Sequence, residues 1–571
     1  MSITRIFLLG FLAFAVAACN NAGPKKEVST TGTADLIYYG GDIVTMAGDS
    51  PVYAEAVAVK NGQIIFVGAK AAADKMKGDS TVMNDLQGKS LFPGFIDGHC
   101  HFAGFPLQAI GAKLLPPPDA GVTSIPVLVK TLKEWATPEN LALTGWIFGT
   151  GYDESVLDEK RHPTKQELDQ VSTEYPIIIL HISGHFCVMN SKGLEQMGIT
   201  STSKNPAGGV IRRMSGSTEP NGVLEELAAI PLYGKALIPR TAAAALTFAA
   251  AGQDMAMSYG YTTVQEGRAM DESLATLAES NFFKIDVVSY VDYMFPNFME
   301  SKWYGKAYIN HYRIGGMKIT LDGSPQGRTA WRTVPYILPP PGEQKTYKGY
   351  PAIANDKDVI AFYKRAFKNN WQTLTHANGD AAIDQMIRCL KPAVAEYGNI
   401  NRRNTLIHGQ YIREDQLDSI KSLNVIASLF ALHTFYWGDW HKQIIGDSLG
   451  NKISPTRSAL NKGLHITIHT DAPVALPNLM RMVWTAVNRT SRSGKIIGDG
   501  EQLTPYEAMK CVTEWSAYQH FEEDTKGTLA PGKLADLVVL DKNPLKVAPD
   551  AIKDIIVLET IKEGKSIYKK Q

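Results

Sequence analysis

From about residue 33 the chain runs in short stretches rich in β-branched and aromatic residues: DLIYYGGDIVTM (35–46), AEAVAVK (54–60), QIIFVGA (63–69) and TVMNDLQ (81–87). Stretches of this kind bounded by Gly, Asn and Asp predict strands. Asn61-Gly62, between the second and third, predicts a two-residue hairpin turn. The other end has the same texture, with GTLAPGKLADLVVLD followed by IIVLETIKEGKSIYK and its Glu-Gly turn. The pattern predicts a small β-sandwich built from both chain ends, residues 33–91 and the last part of 501–571 after a C-terminal helix.

Between the ends the pattern changes to apolar strand-like runs separated by helical stretches. Eight runs stand out: FPGFID, YTTVQEG, KIDVVSYV, MKITLDG, QTLTHA, NTLIHG, NVIASLF and HITIHTDA. Strands that alternate with helices imply a parallel sheet, and eight of them imply a (β/α)₈ barrel, of TIM type, within the α/β class. Residues 92–500 exceed a bare barrel of roughly 250 residues. The surplus falls at about 103–235, a predicted insertion after the first barrel strand.

Composition adds limits. The 571 residues carry 58 basic and 57 acidic side chains, a net charge of +1 with no long basic run, which argues against nucleic acid as a partner. Residues 1–18 read as a signal peptide, with Arg5 ahead of an apolar stretch too short for a comfortable membrane span. VAAC resembles a bacterial lipobox, which implies lipidation at Cys19. Asn20 in place of Asp implies the outer membrane, with the protein facing the periplasm and residues 19–32 as a polar tether. The anchor is then the sole membrane contact expected, and a homodimer stays open. Cys100, Cys187, Cys389 and Cys511 show no metal-knuckle or redox spacing, and their pairing stays open.

The chemistry-bearing residues fall at the ends of predicted strands. His99 and His101 follow strand one, Lys318 lies in strand four, His376 ends strand five, His408 strand six and Asp471 strand eight. The C-terminal rim of a barrel is where active sites assemble, so five segments deliver ligand-type side chains to one place. Cys100 lies between two histidines in an extended segment and is expected to face the core instead. Asp471 also suits a helix N-cap.

PGFIDGHCHF resembles the PGxxDxHxH signature of the amidohydrolase superfamily. The chain from about 33 to 571 is similar to its amidohydrolase-3 (YtcJ-like) branch, which includes N-substituted formamide deformylases. GYDESVLDEKRHPTKQELDQ, GHFCVMNSKGL, PNGVLEE, RIGGMKITLDGS, HANGDAAID, HTDAPV and KGTLAPGKLADLVVLD carry the same resemblance in the same order. It implies two divalent metal ions, one held by His99, His101 and Asp471 and the other by His376 and His408. Lys318 would bridge them as a CO2-derived carbamate, because an ammonium has no lone pair for a cation. Zinc suits these ligands, with manganese, iron and cobalt open. The implied reaction is hydrolysis of a non-peptide carbon–nitrogen bond in a small-molecule amide by metal-activated hydroxide, with Asp471 relaying the proton to the leaving amine.

Ile407 stands where relatives commonly carry Glu, Gly409 where Ala is usual, and Thr470 where Ser is usual. Substrate contacts are expected from Tyr152 and Asp153 of GYD, from His185 of SGH, and from His433, Tyr436 and Trp437 of FALHTFYWGDWH, a segment expected to hang over the site. Two other readings compete: a mononuclear deaminase, which would lack the bridging lysine, and a binding lipoprotein without catalysis.

Overall fold

The protein is described by a computed structural model covering residues 32–206, 208–340 and 342–571. The segment 1–18 expected to be a signal peptide and the expected lipidation site Cys19 lie outside these residues. Three sheets organise the chain.

The central sheet has eight strands: β1 (Phe95–Ile96), β2 (Tyr261–Ala269), β3 (Asp286–Asp292), β4 (Tyr312–Thr320), β5 (Gln372–Ala377), β6 (Thr405–His408), β7 (Ile426–Leu429) and β8 (Ile466–Ile468). Each pairs in parallel with the next in chain order, and each overlaps one of the eight runs singled out by pattern, β4 starting five residues ahead of MKITLDG. The sheet is curled, and the chain segments that leave its first and last strands come together. His101 N donates to Ala472 O at 2.7 Å and Asp471 N donates to His99 O at 3.0 Å, so the segments leaving β1 and β8 are hydrogen-bonded to each other.

Amphipathic helices cover the outside. In Asp356–Lys368 the buried residues Val359, Tyr363, Ala366 and Phe367 recur at helical spacing, and Asn355 caps the start by accepting from Lys357 N. Burying side chains such as Phe367 contributes roughly 1.5–3 kcal/mol each, which holds the helix to the sheet.

Strands from both chain ends form a second sheet of eight strands. Leu36–Val44 pairs with Ser90–Pro93, which pairs with Leu537–Leu540, joining the N-terminal part to the C-terminal part. All eight belong to one continuous sheet. Apolar clusters lie on both faces, Val57 and Val59 on one and Ala56 and Ala58 on the other, as the two-residue period requires. The hairpin at Asn61-Gly62 has positive φ at both residues, 49° and 77°, the conformation of a type I′ turn. The predicted first barrel run is split in two: Ser90–Pro93 belongs to the end sheet, and after Gly94 the chain enters the central sheet.

The third sheet has six strands lying between Ala112 and Glu226. It occupies the predicted insertion. Its apolar faces pack helices on either side, with Ile147, Ile177 and Val188 toward one and Phe148, Ile178 and Met189 toward the other. Cys100, Cys187, Cys389 and Cys511 are all buried free thiols.

Candidate active site

β1 is two residues long, and a buried carboxylate fixes the segment leaving it. Asp97 accepts from His99 N and Thr470 N at 3.2 Å, from Tyr261 OH at 2.9 Å and from Thr470 Oγ1 at 2.5 Å. It therefore ties the exit of β1 to the exit of β8. Burial pushes its carboxyl up to about 6 in spite of these donors.

His99 points into the sheet interior and is fully buried. Its Nδ1 faces Gln265 Oε1, an amide oriented by donation from Gln265 Nε2 to Gly98 O at 3.0 Å. An amide oxygen only accepts, so Nδ1 carries the proton and Nε2 keeps its lone pair, the tautomer a metal ligand needs. That Nε2 lies 2.9 Å from Lys318 Nζ. Cys100 turns away, its thiol directed to Gln265 O.

Lys318, near the end of β4, is 1% exposed, and burial lowers its amine to about 7. His101 is partly open, with Nε2 3.5 Å from Asp471 Oδ1 and Nδ1 3.6 Å from Glu266 Oε1. Burial opposes its protonation, but these two carboxylates outweigh burial and raise the imidazole above its usual range. His376 directs Nδ1 at His408 Nε2, 3.1 Å away. Its own Nε2 faces Asp322 Oδ1 and Gly323 O, both at 3.4 Å. His408 Nδ1 meets His469 Nε2 at 3.0 Å, and His469 Nδ1 meets Ser428 Oγ at 2.9 Å.

Asp471 has φ of 53° and His408 has φ of 76°, left-handed conformations that non-glycine residues rarely adopt and that concentrate at functional sites. Asp471 Oδ1 is buried and has no hydrogen-bond partner among the described residues. His99 Nε2 is 3.7 Å away, and the ligand atoms of His99, His101 and Asp471 all lie within 4.8 Å of one another. A buried carboxylate oxygen without a donor is costly, and a cation among these three groups satisfies it. The residues present therefore fit a divalent metal. Asp471 does not cap a helix; Asn478 caps Leu479–Asn488.

A cavity of about 20 Å³, room for roughly one water, adjoins the cluster. Ser183, His185, Phe430 and His433 face His376, His408 and Asp471 across it. The His185 ring centre is 6.5 Å from that of His376, and its Nδ1 is held by Glu226 Oε2 at 2.7 Å. The remaining expected substrate contacts lie elsewhere. Tyr152 is buried in the inserted unit with its hydroxyl on His162 Nδ1 at 3.0 Å. The segment expected to hang over the site is the helix His433–Ile445. Trp437 Nε1 donates to Asp153 Oδ2 at 3.0 Å, and Tyr436 OH donates to Asp119 Oδ2 at 2.5 Å, so both aromatics clamp this helix to the insertion.

The site also gathers residues to which strand-end spacing does not point: Gln265, Glu266, Asp322, His469 and Asn378. A signal for two of them exists in the sequence. His469 precedes Asp471 by two residues and Asp322 follows Lys318 by four, spacings that share one face in extended chain.

The comparisons agree with this geometry. The Amidohydrolase family profile matches residues 83–568. The putative amidohydrolase YtcJ of Bacillus subtilis (strain 168) is 25% identical over 94% of this chain and 99% of its own. The N-substituted formamide deformylase of Arthrobacter pascens is 24% identical over 90% of this chain and 95% of its own. Among solved structures, an uncharacterized metal-dependent hydrolase from Pyrococcus horikoshii OT3 aligns with a TM-score of 0.72 at 23% identity, covering 90% of this chain and 99% of that one. With the profile spanning most of the sequence and the signature histidines standing at the rim of the eight-stranded sheet, the chain belongs to the amidohydrolase family.

Proposed function

We propose that the protein is a metal-dependent hydrolase of a carbon–nitrogen bond in a small non-peptide amide, working at the rim of a closed (β/α)₈ barrel. The observation that carries this reading is the convergence of His99, His101, Lys318, His376, His408 and Asp471 from five strand ends, with a buried Asp471 oxygen left unpartnered among the described residues. His99, His101 and Asp471 would hold one divalent ion and His376 with His408 a second, zinc fitting both sets. Lys318 would join them as a carbamate; its burial and an amine lowered to about 7 favour the neutral form that reacts with CO2. When bound, the metal pair supplies a water acidified toward neutral pH and a Lewis-acid pull on the carbonyl.

Asp471 then takes the proton released by the nucleophile and returns it to the leaving nitrogen. Gln265 holds His99 in its ligating tautomer, and Asp322 orients His376 from behind. The deformylase relative makes N-substituted formamides the first substrates to try. VAAC supports a lipid anchor at Cys19 on the outer membrane, and a palmitate label lost in Cys19→Ser checks it.

The main test is metal content per chain, measured on protein purified without chelator, beside formate release from a panel of N-alkyl- and N-arylformamides. About two metals are expected in the parent and fewer in Lys318→Ala. Asp471→Asn is expected to lose about 10²–10⁴-fold in kcat/KM, the usual worth of general acid–base catalysis. Full activity in a metal-loaded Asp471→Asn variant would remove the proton role, and a parent that takes up no metal would remove the hydrolase reading.

A further inference from the structure

The helix His433–Ile445 carries His433, Trp437 and His441 on one buried face at four-residue spacing. A line of hydrogen bonds runs along that face. Tyr411 OH meets His441 Nδ1 at 2.7 Å, and His441 Nε2 meets His433 Nδ1 at 2.9 Å. One end of the line, His433, lines the catalytic cavity. The other end, Tyr411, lines a separate cavity of about 890 Å³ together with Arg332, Asp380 and Arg413. Neither Tyr411 nor His441 belongs to the site described above.

We propose that Tyr411 and His441 are positioning residues that lock His433 in the Nε2–H tautomer, making it a hydrogen-bond donor for a carbonyl or carboxylate oxygen of the substrate. The contact with substrate rests on the hydrolase reading; the tautomer does not.

The direction of the line is set by the chemistry of its members. Burial pushes the Tyr411 phenol up and keeps it protonated, with the Arg332 guanidinium 5.5 Å from its ring centre. Its partner among the described residues is His441 Nδ1; a phenol O–H, of ordinary pKa about 10, is a stronger donor than a neutral imidazole N–H and its oxygen a weaker acceptor than the imidazole lone pair, so the hydroxyl donates there. Burial, then the charge of Arg332, lowers His441 to about 3, and burial holds His433 well below the usual imidazole range, so both rings are neutral. A neutral imidazole has one N–H. Accepting at Nδ1, His441 must carry its proton on Nε2 and donate it to His433 Nδ1. His433, accepting at Nδ1, must then carry its own proton on Nε2, which has no protein partner among the described residues. Phe430 and Trp437, each 4.6 Å from the His433 ring centre, set the plane in which that N–H points.

The same geometry separates His433 from the metal-type histidines. His99 receives an acceptor at Nδ1 from Gln265 and so keeps a lone pair at Nε2, whereas His433 receives a donor at Nδ1 and so keeps a proton at Nε2. Opposite partners at Nδ1 thereby suit His99 to a cation and His433 to an oxygen.

The test is a long-range proton–nitrogen correlation spectrum of the full-length protein labelled with ¹⁵N-histidine, the His433 signals being identified by their loss in His433→Gln. The expected result is protonated Nε2 and bare Nδ1 on His433, with Tyr411→Phe shifting the ring to a mixture of tautomers. On the formamide panel, Tyr411→Phe is expected to raise KM about tenfold, the fold-change of roughly one hydrogen bond, with kcat within about twofold. A proton on His433 Nδ1 in the parent, or a tautomer unchanged in Tyr411→Phe, would overturn the proposal. The spectrum needs no turnover, so it decides the matter even where formamides are not substrates.

Discussion

A Cβ on Gly267 would lie 2.1 Å from His99 Cε1 and 2.7 Å from its Nδ1, with Cys100 O at 3.0 Å. Gly267 has no side chain to offer a ligand, yet its lack of a Cβ leaves the space that the His99 ring fills. The ring is fully buried and held by Gln265 on one nitrogen and Lys318 on the other, so moving it disturbs both contacts. Gly267→Ala is therefore expected to weaken metal binding about 10–100-fold, the range for losing a ligand's support. Competition with a metal-sensitive dye measures it, and an unchanged affinity would show that the ring can shift without cost. At this scale the sequence is most legible where a motif repeats its own logic. His99 and His101 announce themselves by spacing, while His469, with the same spacing to Asp471, is hidden because a single histidine beside an Asp looks like part of a turn. Gln265 and Gly267 carry no signal at all, since their importance comes from contacts across the sheet.

Among elements, the eight central strands are readable because buried parallel strands show as short continuous apolar runs. The boundary at Gly94 is not, since FPGFID reads as one run and only pairing reveals that its halves serve different sheets. The helix His433–Ile445 passes for an overhanging segment because Gly438 and its run of aromatics disguise a helical face. Its role is mechanical as well as chemical. Trp437 is buried to 1% exposure and reaches Asp153 of the insertion, which also accepts from Ser155 N at 3.0 Å and lies 3.9 Å from Arg492. Trp437→Phe keeps most of the buried ring but leaves Asp153 one donor short. It is expected to cost about 1–3 kcal/mol, read as a lower denaturant midpoint with unchanged m-value. A smaller loss would mean that Arg492 closes the 3.9 Å gap and takes over the oxygen.

The whole molecule is joined by a buried charge network between the end sheet and the central sheet. Lys562, at the end of the strand Val557–Lys562, contacts Asp286 of β3 and Asp536 at 2.8 Å. Lys526 reaches the same Asp286 at 2.6 Å and Glu522 at 2.7 Å, and Glu522 receives Arg313 of β4 at 2.7 Å. These side chains are all 3–4% exposed, so no charge in the group can be relieved by water. Lys562→Met leaves Asp286 with one lysine and Asp536 with none at contact distance, and removing one partner of a buried ionic group costs about 3–5 kcal/mol. Because the lysine belongs to one sheet and its aspartate to the other, hydrogen exchange is expected to speed up in both sheets together. Faster exchange confined to the end sheet would show that the two unfold separately. The network also sets an acid limit. Burial opposes ionisation of Glu522, but Lys526 and Arg313 outweigh it and hold the carboxyl at about 2. A folded value below the unfolded one, about 4.3, means that the stabilisation is complete above that pH and is lost as pH falls toward 2. It amounts to on the order of 3 kcal/mol for a fully buried group. Glu522→Gln is therefore expected to be less stable than the parent at pH 7 and to lose less on going from pH 5 to pH 2. Parallel stability curves for the two proteins across that interval would place the acid sensitivity in other carboxylates.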